Sequence, residues 1–352
     1  HGLINRMPCP LRRAAFPPRG LTDTEQQPDR PVPISSNLRA ALFMVVAMAT
    51  FTSNDAITKY VLETVGMGQV LLVRGLFATL LILLIYIVPI AMVIAASLTD
   101  YTLVSDYFEF VGLDNYRRMA TDDQFGNALH NTFVFAVMFL PAAFVVSLVL
   151  AIAIQERKQF RSILEVLYFL PVTSTLAAMA LVWAALLDSR QGVINGVIAA
   201  LGLPPLNFLG SQDLVLFSLA LISLWSTIGF NMVLFLAGLT AIPKNLYEAA
   251  AIDGADHPLD RFFKVTWPML GPTAMFVAIT TSITAFKLFD VVAIVTRGGP
   301  DKASEVYLYL AFLEGFEYFN MGYSAALSLV FLLLILVFAI IQAVVVDRRV
   351  HY

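Results

Sequence analysis

The sequence predicts an all-α, polytopic membrane protein with six core transmembrane helices and one extra hydrophobic helix near the N-terminus. Hydrophobic residues make up 59% of the 352 residues and charged residues only 13%, whereas a soluble domain usually carries about 25% charged residues. Long apolar runs occupy most of residues 70–346, and each is near the roughly 20 residues that a helix needs to cross a bilayer. A soluble protein is therefore excluded, and the lipid bilayer is the first expected partner.

Three regions follow one another along the chain. Residues 1–37 contain seven prolines and several arginines without apolar periodicity, which predicts a disordered tail. An extra hydrophobic segment at 38–78 precedes the main transmembrane domain at 79–352. The apolar stretches within these regions lie at 38–52, 70–97, 127–154, 163–187, 214–241, 269–290 and 323–346. The last six are the predicted core spans, and the short first stretch is interpreted as a surface-lying or poorly inserted helix.

Lysine and arginine divide the connecting loops into two groups. Cytoplasmic loops of membrane proteins are enriched in these residues. The first group carries eight of them in about 40 residues and the second group five in about 87 residues. The first group comprises 155–162, 242–268 and 347–352, and the second comprises 98–126, 188–213 and 291–322. The sequence therefore predicts that the first group, with the C-terminus, lies in the cytoplasm.

The predicted cytoplasmic loop at 242–268 has the pattern of two short helices joined by a turn. Pro243 suits the first turn of a helix, and Gly254 can take the left-handed conformation that ends one. The dipeptide His257-Pro258 disfavours helix at His257 and allows a new helix to begin at Pro258. Three consecutive alanines lie on the first helix, where they let another backbone approach closely.

This loop resembles the Glu-Ala-Ala loop of inner-membrane permeases from binding-protein-dependent ABC importers. The residues that carry the resemblance are Glu248, Ala249, Ala250 and Gly254. The resemblance implies that the loop docks in a cleft of a separate ATPase, with Glu248, Ala249, Ala250, Asp253 and Gly254 as the coupling contacts. This chain has ten residues between Gly254 and Val265 where the family has nine, and Trp267 stands where leucine is usual. We expect the extra residue in the turn at 255–258, where it leaves the facing of the second helix unchanged.

The resemblance covers about residues 80–352 and is closest to the carbohydrate-uptake branch of that family. Its further elements are FVGLDNYRRM at 110–119, YFLP at 168–171, GGP at 298–300 and NMGYSAALS at 320–328. It implies an ATPase dimer, a second permease subunit and a periplasmic solute-binding protein as partners. The sequence has no phosphate-binding loop of the Gly-x4-Gly-Lys type, so we expect no cofactor on this chain and ATP on the partner. Residues 38–78 instead resemble the opening of a drug/metabolite-type secondary transporter, which indicates a natural fusion, a gene-prediction artefact or a chimera.

Polar residues within the apolar spans mark candidate positions on a solute pathway. The candidates are Asn131, Thr173, Ser174, Trp225, Asn231, Thr281, Ser282, Lys287 and Asp290. For serine and threonine the alternative is a hydrogen bond to the backbone of their own helix. Lys287 and Asp290 could instead pair with each other, and Trp225 could stack on a sugar ring or anchor at an interface. Pro141 and Pro171 are expected to kink their helices.

The predicted function is transport, with no chemistry on this chain. No Ser–His–Asp set or paired catalytic carboxylates are evident, the four histidines are scattered, and Cys9 is the single cysteine, so no metal site is expected. We predict the permease subunit of an ATP-driven importer of a sugar-like solute across the inner membrane, with sugar or oligosaccharide first and glycerol-3-phosphate second. The alternatives are a stand-alone drug/metabolite-type secondary transporter and an inactive fusion product. No nucleic-acid partner is expected.

Overall fold

The computed structural model describes Met48 and residues 66–105, 107–157, 160–255 and 257–347. The predictions for the tail at 1–37 and for the short segment at 38–52 therefore lie outside the described residues, apart from Met48. The chain divides into two compact units, residues 1–81 and residues 82–352. The features described below lie in the second unit, except for residues 67–81 of the helix Met67–Ser97.

Within the described residues, four long helices are apolar enough to cross a membrane. They are α1 (Met67–Ser97), α3 (Asp123–Gln155), α7 (Gln212–Ala241) and α13 (Met321–Asp347). A short polar helix, α2 (Asp114–Thr121), lies between the first two. The α3 helix continues through Pro141 over its 33 residues, which at 1.5 Å per residue exceeds the thickness of a bilayer core.

Two of the predicted spans are broken helices in the structure. The span predicted at 163–187 consists of α4 (Arg161–Thr173) and α5 (Leu176–Leu186), which meet at 99°. The span predicted at 269–290 is bent by 72° between residues 258–269 and α11 (Gly271–Phe286). The predicted number of core spans nevertheless agrees with the structure, and a kink at Pro171 was expected. Counting each bent pair as one span gives six spans within the described residues.

The first break has a local cause at its two central residues. Pro171 lies inside α4 and cannot donate a backbone hydrogen bond, yet the helix continues for two more residues. Ser174 is extended, and the Thr175 hydroxyl accepts a hydrogen bond from the Ala178 amide, which caps α5. The chain thus ends one helix and starts another three residues beyond the proline where a kink was predicted.

Shorter elements complete the chain. They are α6 (Val193–Ala200), α8 (Lys244–Ile252), α9 (Pro258–Arg261), α10 (Trp267–Met269) and α12 (Tyr307–Phe312), with π-helical turns at Phe262–Thr266, Val292–Thr296 and Leu313–Glu317. In the described residues the architecture is helical, with one isolated antiparallel bridge between Thr99 and Phe110. The all-α prediction is confirmed.

The helices α3 and α7 pack against each other, and α4, α11 and α12 pack against one or both of them. Phe135 and Phe139 of α3 stack at 5.3 Å between ring centroids and share one buried cluster with Leu219 and Ile222 of α7. A second cluster joins the far ends of both helices to the loop after α7. This loop is thereby packed directly against the two central helices.

Candidate functional site

The loop predicted as a helix–turn–helix has that structure. We call residues 242–268 the coupling hairpin. Its first helix is α8, preceded by Pro243 in an extended conformation. Its second helix begins at Pro258 as α9 and continues through the π-helical turn Phe262–Thr266.

The turn of the coupling hairpin is built on Gly254. Its φ of +84° lies in the left-handed region, which costs a side-chain-bearing residue free energy. The Ala255 amide donates to the Ala250 carbonyl at 2.8 Å, and the Gly254 amide donates to the Ala251 carbonyl at 3.2 Å. These two bonds form a Schellman motif, in which the residue after the glycine packs inward. Ala255 is accordingly buried.

Three side-chain hydrogen bonds set the second helix relative to the first. The His257 Nδ1 atom accepts from the Leu259 amide at 3.2 Å and caps α9. Arg261 Nε donates to the Ala255 carbonyl at 2.9 Å, across the turn. The hydroxyls of Tyr247 and Thr266 are 3.0 Å apart and link the two helices directly. The hairpin is therefore held as one unit.

The inner side of the coupling hairpin is anchored in the second buried cluster. Val265 and Leu270 are buried there, and Tyr247, Ala250 and Phe262 pack against it. The cluster's contacts on α3 and α7 are Leu148, Ala151, Ile154, Met232, Phe235, Leu236 and Leu239. The coupling hairpin and the ends of both central helices therefore share one close-packed interior.

The outer side presents most of the predicted coupling contacts to solvent. Glu248, Ala249 and Asp253 are exposed, while Ala250 is half-buried against the inner cluster. A groove of about 330 Å³ lies between the two helices and is lined in part by Ala249, Ala250 and Asp253. Ile252 on the same helix is 87% exposed. The sequence analysis missed Ile252, although an aliphatic residue before Asp-Gly at a helix end is a usable signal.

Several predicted pathway residues use their side chains to join helices. The Asn231 amide on α7 donates to the Thr281 hydroxyl on α11 at 2.9 Å, and both side chains are buried. Ser282 donates to its own helix at the Ala278 carbonyl and accepts from the Gln342 amide of α13 at 2.8 Å. Asn231 and Thr281 thus join α7 to α11, and Ser282 joins α11 to α13.

Asn131 lies at the other end of the molecule, under the loop that follows the π-helical turn Val292–Thr296. Its amide donates to the carbonyls of Lys302 and Glu305 at 3.0 and 2.9 Å. The Glu305 side chain is 3% exposed, and burial raises the pKa of its carboxyl group. The neighbouring Gln124 side chain lowers this pKa, but by less than burial raises it.

The remaining candidates are accessible. Trp225 is 37% exposed and packs edge-on against Trp183 at 5.6 Å, beside an apolar cavity of about 660 Å³ that Tyr168 and Pro171 also line. Thr173 lines a separate groove and donates to the Leu170 carbonyl at 2.7 Å.

Ser174, Lys287 and Asp290 are also accessible. Ser174 lies at the break between α4 and α5. Lys287 and Asp290 follow the end of α11, are exposed, and form no ion pair with each other.

The fold defines a class of protein, namely a polytopic helical membrane protein with a helical hairpin at one end of its bundle. Residues 155–351 match the family model described as the binding-protein-dependent transport system inner membrane component. The chain belongs to this family, and it is therefore a permease subunit. This membership goes against the alternative of a stand-alone secondary transporter.

Curated relatives and solved structures agree with this assignment. The chain is 34% identical over 245 residues to the sn-glycerol-3-phosphate transport system permease protein UgpA of Yersinia pestis bv. Antiqua (strain Antiqua), covering 69% of this chain and 82% of the relative. It is 32% identical over 235 residues to the trehalose/maltose transport system permease protein MalF of Thermococcus litoralis, covering 66% and 78%. Its fold matches a chain of a bacterial alginate ABC transporter, solved with a periplasmic protein that carries an alginate pentasaccharide. That match has a TM-score of 0.70 at 20% identity and covers 80% of this chain and 95% of the other.

Proposed function

We propose that this chain forms one half of the pore of an ATP-driven importer and that the coupling hairpin docks on a separate ATPase subunit. The single observation that carries the proposal is the hairpin's two-sided construction. Its inner side is packed on α3 and α7, while Ala249, Ile252 and Asp253 stand exposed on the outer side. An ATPase that binds the outer side moves the inner side with it, because hydrogen bonds hold the two helices of the coupling hairpin together.

In this proposal the coupling hairpin and the C-terminus lie in the cytoplasm. The lysine and arginine density of the loops supports this orientation. The first long helix supports it as well. Arg74 lies near the start of α1, and no charged residue follows from 75 to 97. These residues span roughly 34 Å at 1.5 Å per residue, close to the thickness of a bilayer core, so Arg74 lies at the membrane boundary on the side that the charge rule assigns to the cytoplasm.

The proposed assembly has three further components. A second permease subunit completes the pore, an ATPase dimer contacts both coupling hairpins, and a periplasmic solute-binding protein delivers the solute. The solute-binding protein is supported by the similarity to the alginate transporter, whose structure includes a periplasmic protein. ATP binds to the ATPase rather than to this chain.

The proposed solute is a sugar or oligosaccharide, and sn-glycerol-3-phosphate is the second candidate. Trp225 and Trp183 offer aromatic faces beside a cavity large enough for a sugar ring, and aromatic side chains pack well against apolar ring faces. The MalF relative is named for trehalose and maltose, which supports the first candidate. The UgpA relatives are named for glycerol-3-phosphate, which keeps the second. Thr173, Lys287 and Asp290 stay proposed pathway positions, whereas Asn131, Asn231 and Thr281 are better explained as ties between elements.

Reconstitution of the full complex in proteoliposomes tests the proposal. Uptake of radiolabelled maltose and of sn-glycerol-3-phosphate is measured with the binding protein outside and ATP on the ATPase side. The wild-type complex is expected to accumulate one of them only with ATP, and Ala249→Glu is expected to abolish both uptake and solute-stimulated hydrolysis. The matched control is Ala199→Glu, which places the same charge on an exposed position of α6. Wild-type uptake by Ala249→Glu would remove the hairpin from the mechanism.

A further inference from the structure

A second feature of the molecule, at the end remote from the coupling hairpin, is a loop rich in exposed aromatic residues. We call residues 98–113 the outer loop. It leaves α1 at Ser97 and folds back on itself, with the Val111 amide donating to the Leu98 carbonyl at 2.9 Å and an antiparallel bridge between Thr99 and Phe110. The Asn115 amide donates to the carbonyls of Ser97 and Thr99 at 2.8 Å, which ties the base of the loop to α2.

The outer loop is also tied to the first turn of α13. The Gly322 amide donates to the Tyr101 carbonyl at 2.8 Å, and the Leu103 amide donates to the Phe319 carbonyl at 3.2 Å. A side chain on Gly322 would collide with the Thr99 carbonyl, 2.1 Å from the Cβ position. The loop therefore lies at the level where α1 ends and α13 begins. Since both helices are candidate membrane spans, two independent spans place the loop at the membrane surface.

The aromatic side chains of this region point away from the protein. Tyr107, Phe108 and Phe110 are 84%, 65% and 77% exposed, and Tyr318 and Phe319 beside α13 are also exposed. Phe108 is held edge-on by Tyr101 at 6.1 Å. Large aromatic side chains exposed in this way are unfavourable in water. Tyrosine, whose ring carries a polar hydroxyl, concentrates at the headgroup level of membranes, and phenylalanine on an interfacial segment inserts at the boundary with the acyl chains.

Exposed apolar side chains occur both in the last turns of α1 and in the outer loop, with the exposed Asp100 between them. Ile90, Met92 and Ile94 in the last turns of α1 are exposed, as expected of a helix that faces lipid. The backbone of the loop base is satisfied internally by the bonds to Leu98, Thr99 and Tyr101, which a segment at this depth requires. The position of this surface beside the ends of two candidate membrane spans favours lipid as its occupant over a soluble partner.

We propose that the outer loop is an interfacial anchor that inserts Tyr107, Phe108 and Phe110 into the headgroup layer of the outer leaflet. Because the loop is bonded to the ends of α1 and α13, this contact fixes the depth of both helices in the bilayer. The occupant of the surface is lipid at the boundary between headgroups and acyl chains.

Site-directed spin labelling of the full complex in nanodiscs of phosphatidylethanolamine and phosphatidylglycerol tests the anchor. Labels are placed at Tyr107→Cys and Phe110→Cys in a Cys9→Ser background, and their accessibility to oxygen is compared with that to a water-soluble nickel chelate. Met92→Cys on α1 provides the lipid reference, and Asp213→Cys, exposed at the start of α7, provides the aqueous one. The expected oxygen-to-nickel ratio at both loop positions lies between the two references.

Two results would overturn the anchor. A ratio equal to that of Asp213 would place the loop in water, and immobilisation of the label on adding the binding protein would assign the surface to that protein instead. A second measurement covers the case in which a cysteine variant fails to assemble. Phe110→Trp in nanodiscs that contain shallow brominated lipids is expected to add quenchable emission over the wild-type chain, and unquenched added emission would contradict the proposal.

Discussion

Replacing Gly254 by valine tests how strictly the coupling hairpin depends on its turn. Gly254 has a φ of +84°, and nothing lies within 4 Å of the position that a Cβ would take. The substitution therefore causes no collision, and its cost is conformational. The left-handed region costs an L-residue about 1–2 kcal/mol, and a β-branched side chain is among the least tolerant of it.

A cost of about 1–2 kcal/mol corresponds to a factor of about 5–30 in a conformational equilibrium. We expect solute-stimulated ATP hydrolysis by the reconstituted Gly254→Val complex to fall by about that factor, since the turn must be formed for docking. Gly254→Asn is expected to retain activity within about twofold, because asparagine tolerates the left-handed region. Gly202→Val is the matched control, since Gly202 has a φ of +76° in equally open space on the loop after α6. Equal activity of both Gly254 variants would refute the reasoning.

Three further predictions concern other contacts. Ile252→Ser is expected to weaken ATPase binding by about 10-fold or more, since burying an isoleucine contributes about 1.5–3 kcal/mol. Titration with purified ATPase measures this affinity. Leu201 is also highly exposed, and Leu201→Ser should have no effect. Burial raises the pKa of Glu305 above its ordinary value of 4.5, so the folded state favours the protonated carboxyl group. The unfolding temperature should therefore fall as the pH rises above that value. A Glu305→Gln variant whose unfolding temperature has the same pH slope as the wild type would contradict this. Thr281→Val should lower the unfolding temperature more than the double variant Asn231→Leu/Thr281→Val, because it leaves the buried Asn231 amide unpaired, and strictly additive effects would argue against the tie.

The coupling hairpin could be predicted from sequence because its signals are local. A proline opens α8, a glycine closes it, and the His257-Pro258 dipeptide restarts the chain as a helix, each through the backbone preference of one or two residues. The predicted position of the extra residue in the turn at 255–258 stays a prediction, since Asp256 lies outside the described residues.

The breaks in two spans could not be predicted in the same way. An apolar run from 163 to 187 has the same composition whether the helix is straight or bent, and the Pro171 signal lies three residues before the break. The fold there is decided at Ser174 and Thr175, where a hydroxyl cap competes with continuation of the helix.

The roles of the buried polar residues depend on contacts that are distant in sequence. Asn131 donates to carbonyls more than 170 residues away, and Asn231 pairs with a residue 50 positions further on. From sequence these side chains look like pathway residues, because polar groups within a membrane usually mark function. Ile252 was missed for the opposite reason, since an aliphatic residue in a membrane protein does not stand out until its exposure is known.

Photo-crosslinking from Ile252 tests the central claim most directly, because it requires no knowledge of the solute. Benzoylphenylalanine is introduced at Ile252 on the coupling hairpin and, as a comparison, at Asp213 at the start of α7. The chain is co-expressed with the other subunits of its transporter and irradiated in membranes. The proposed mechanism predicts a crosslink to the ATPase subunit from Ile252 and none from Asp213. A crosslink to the ATPase from Asp213 would contradict the orientation. The absence of a crosslink from Ile252 in an assembled complex would contradict the docking.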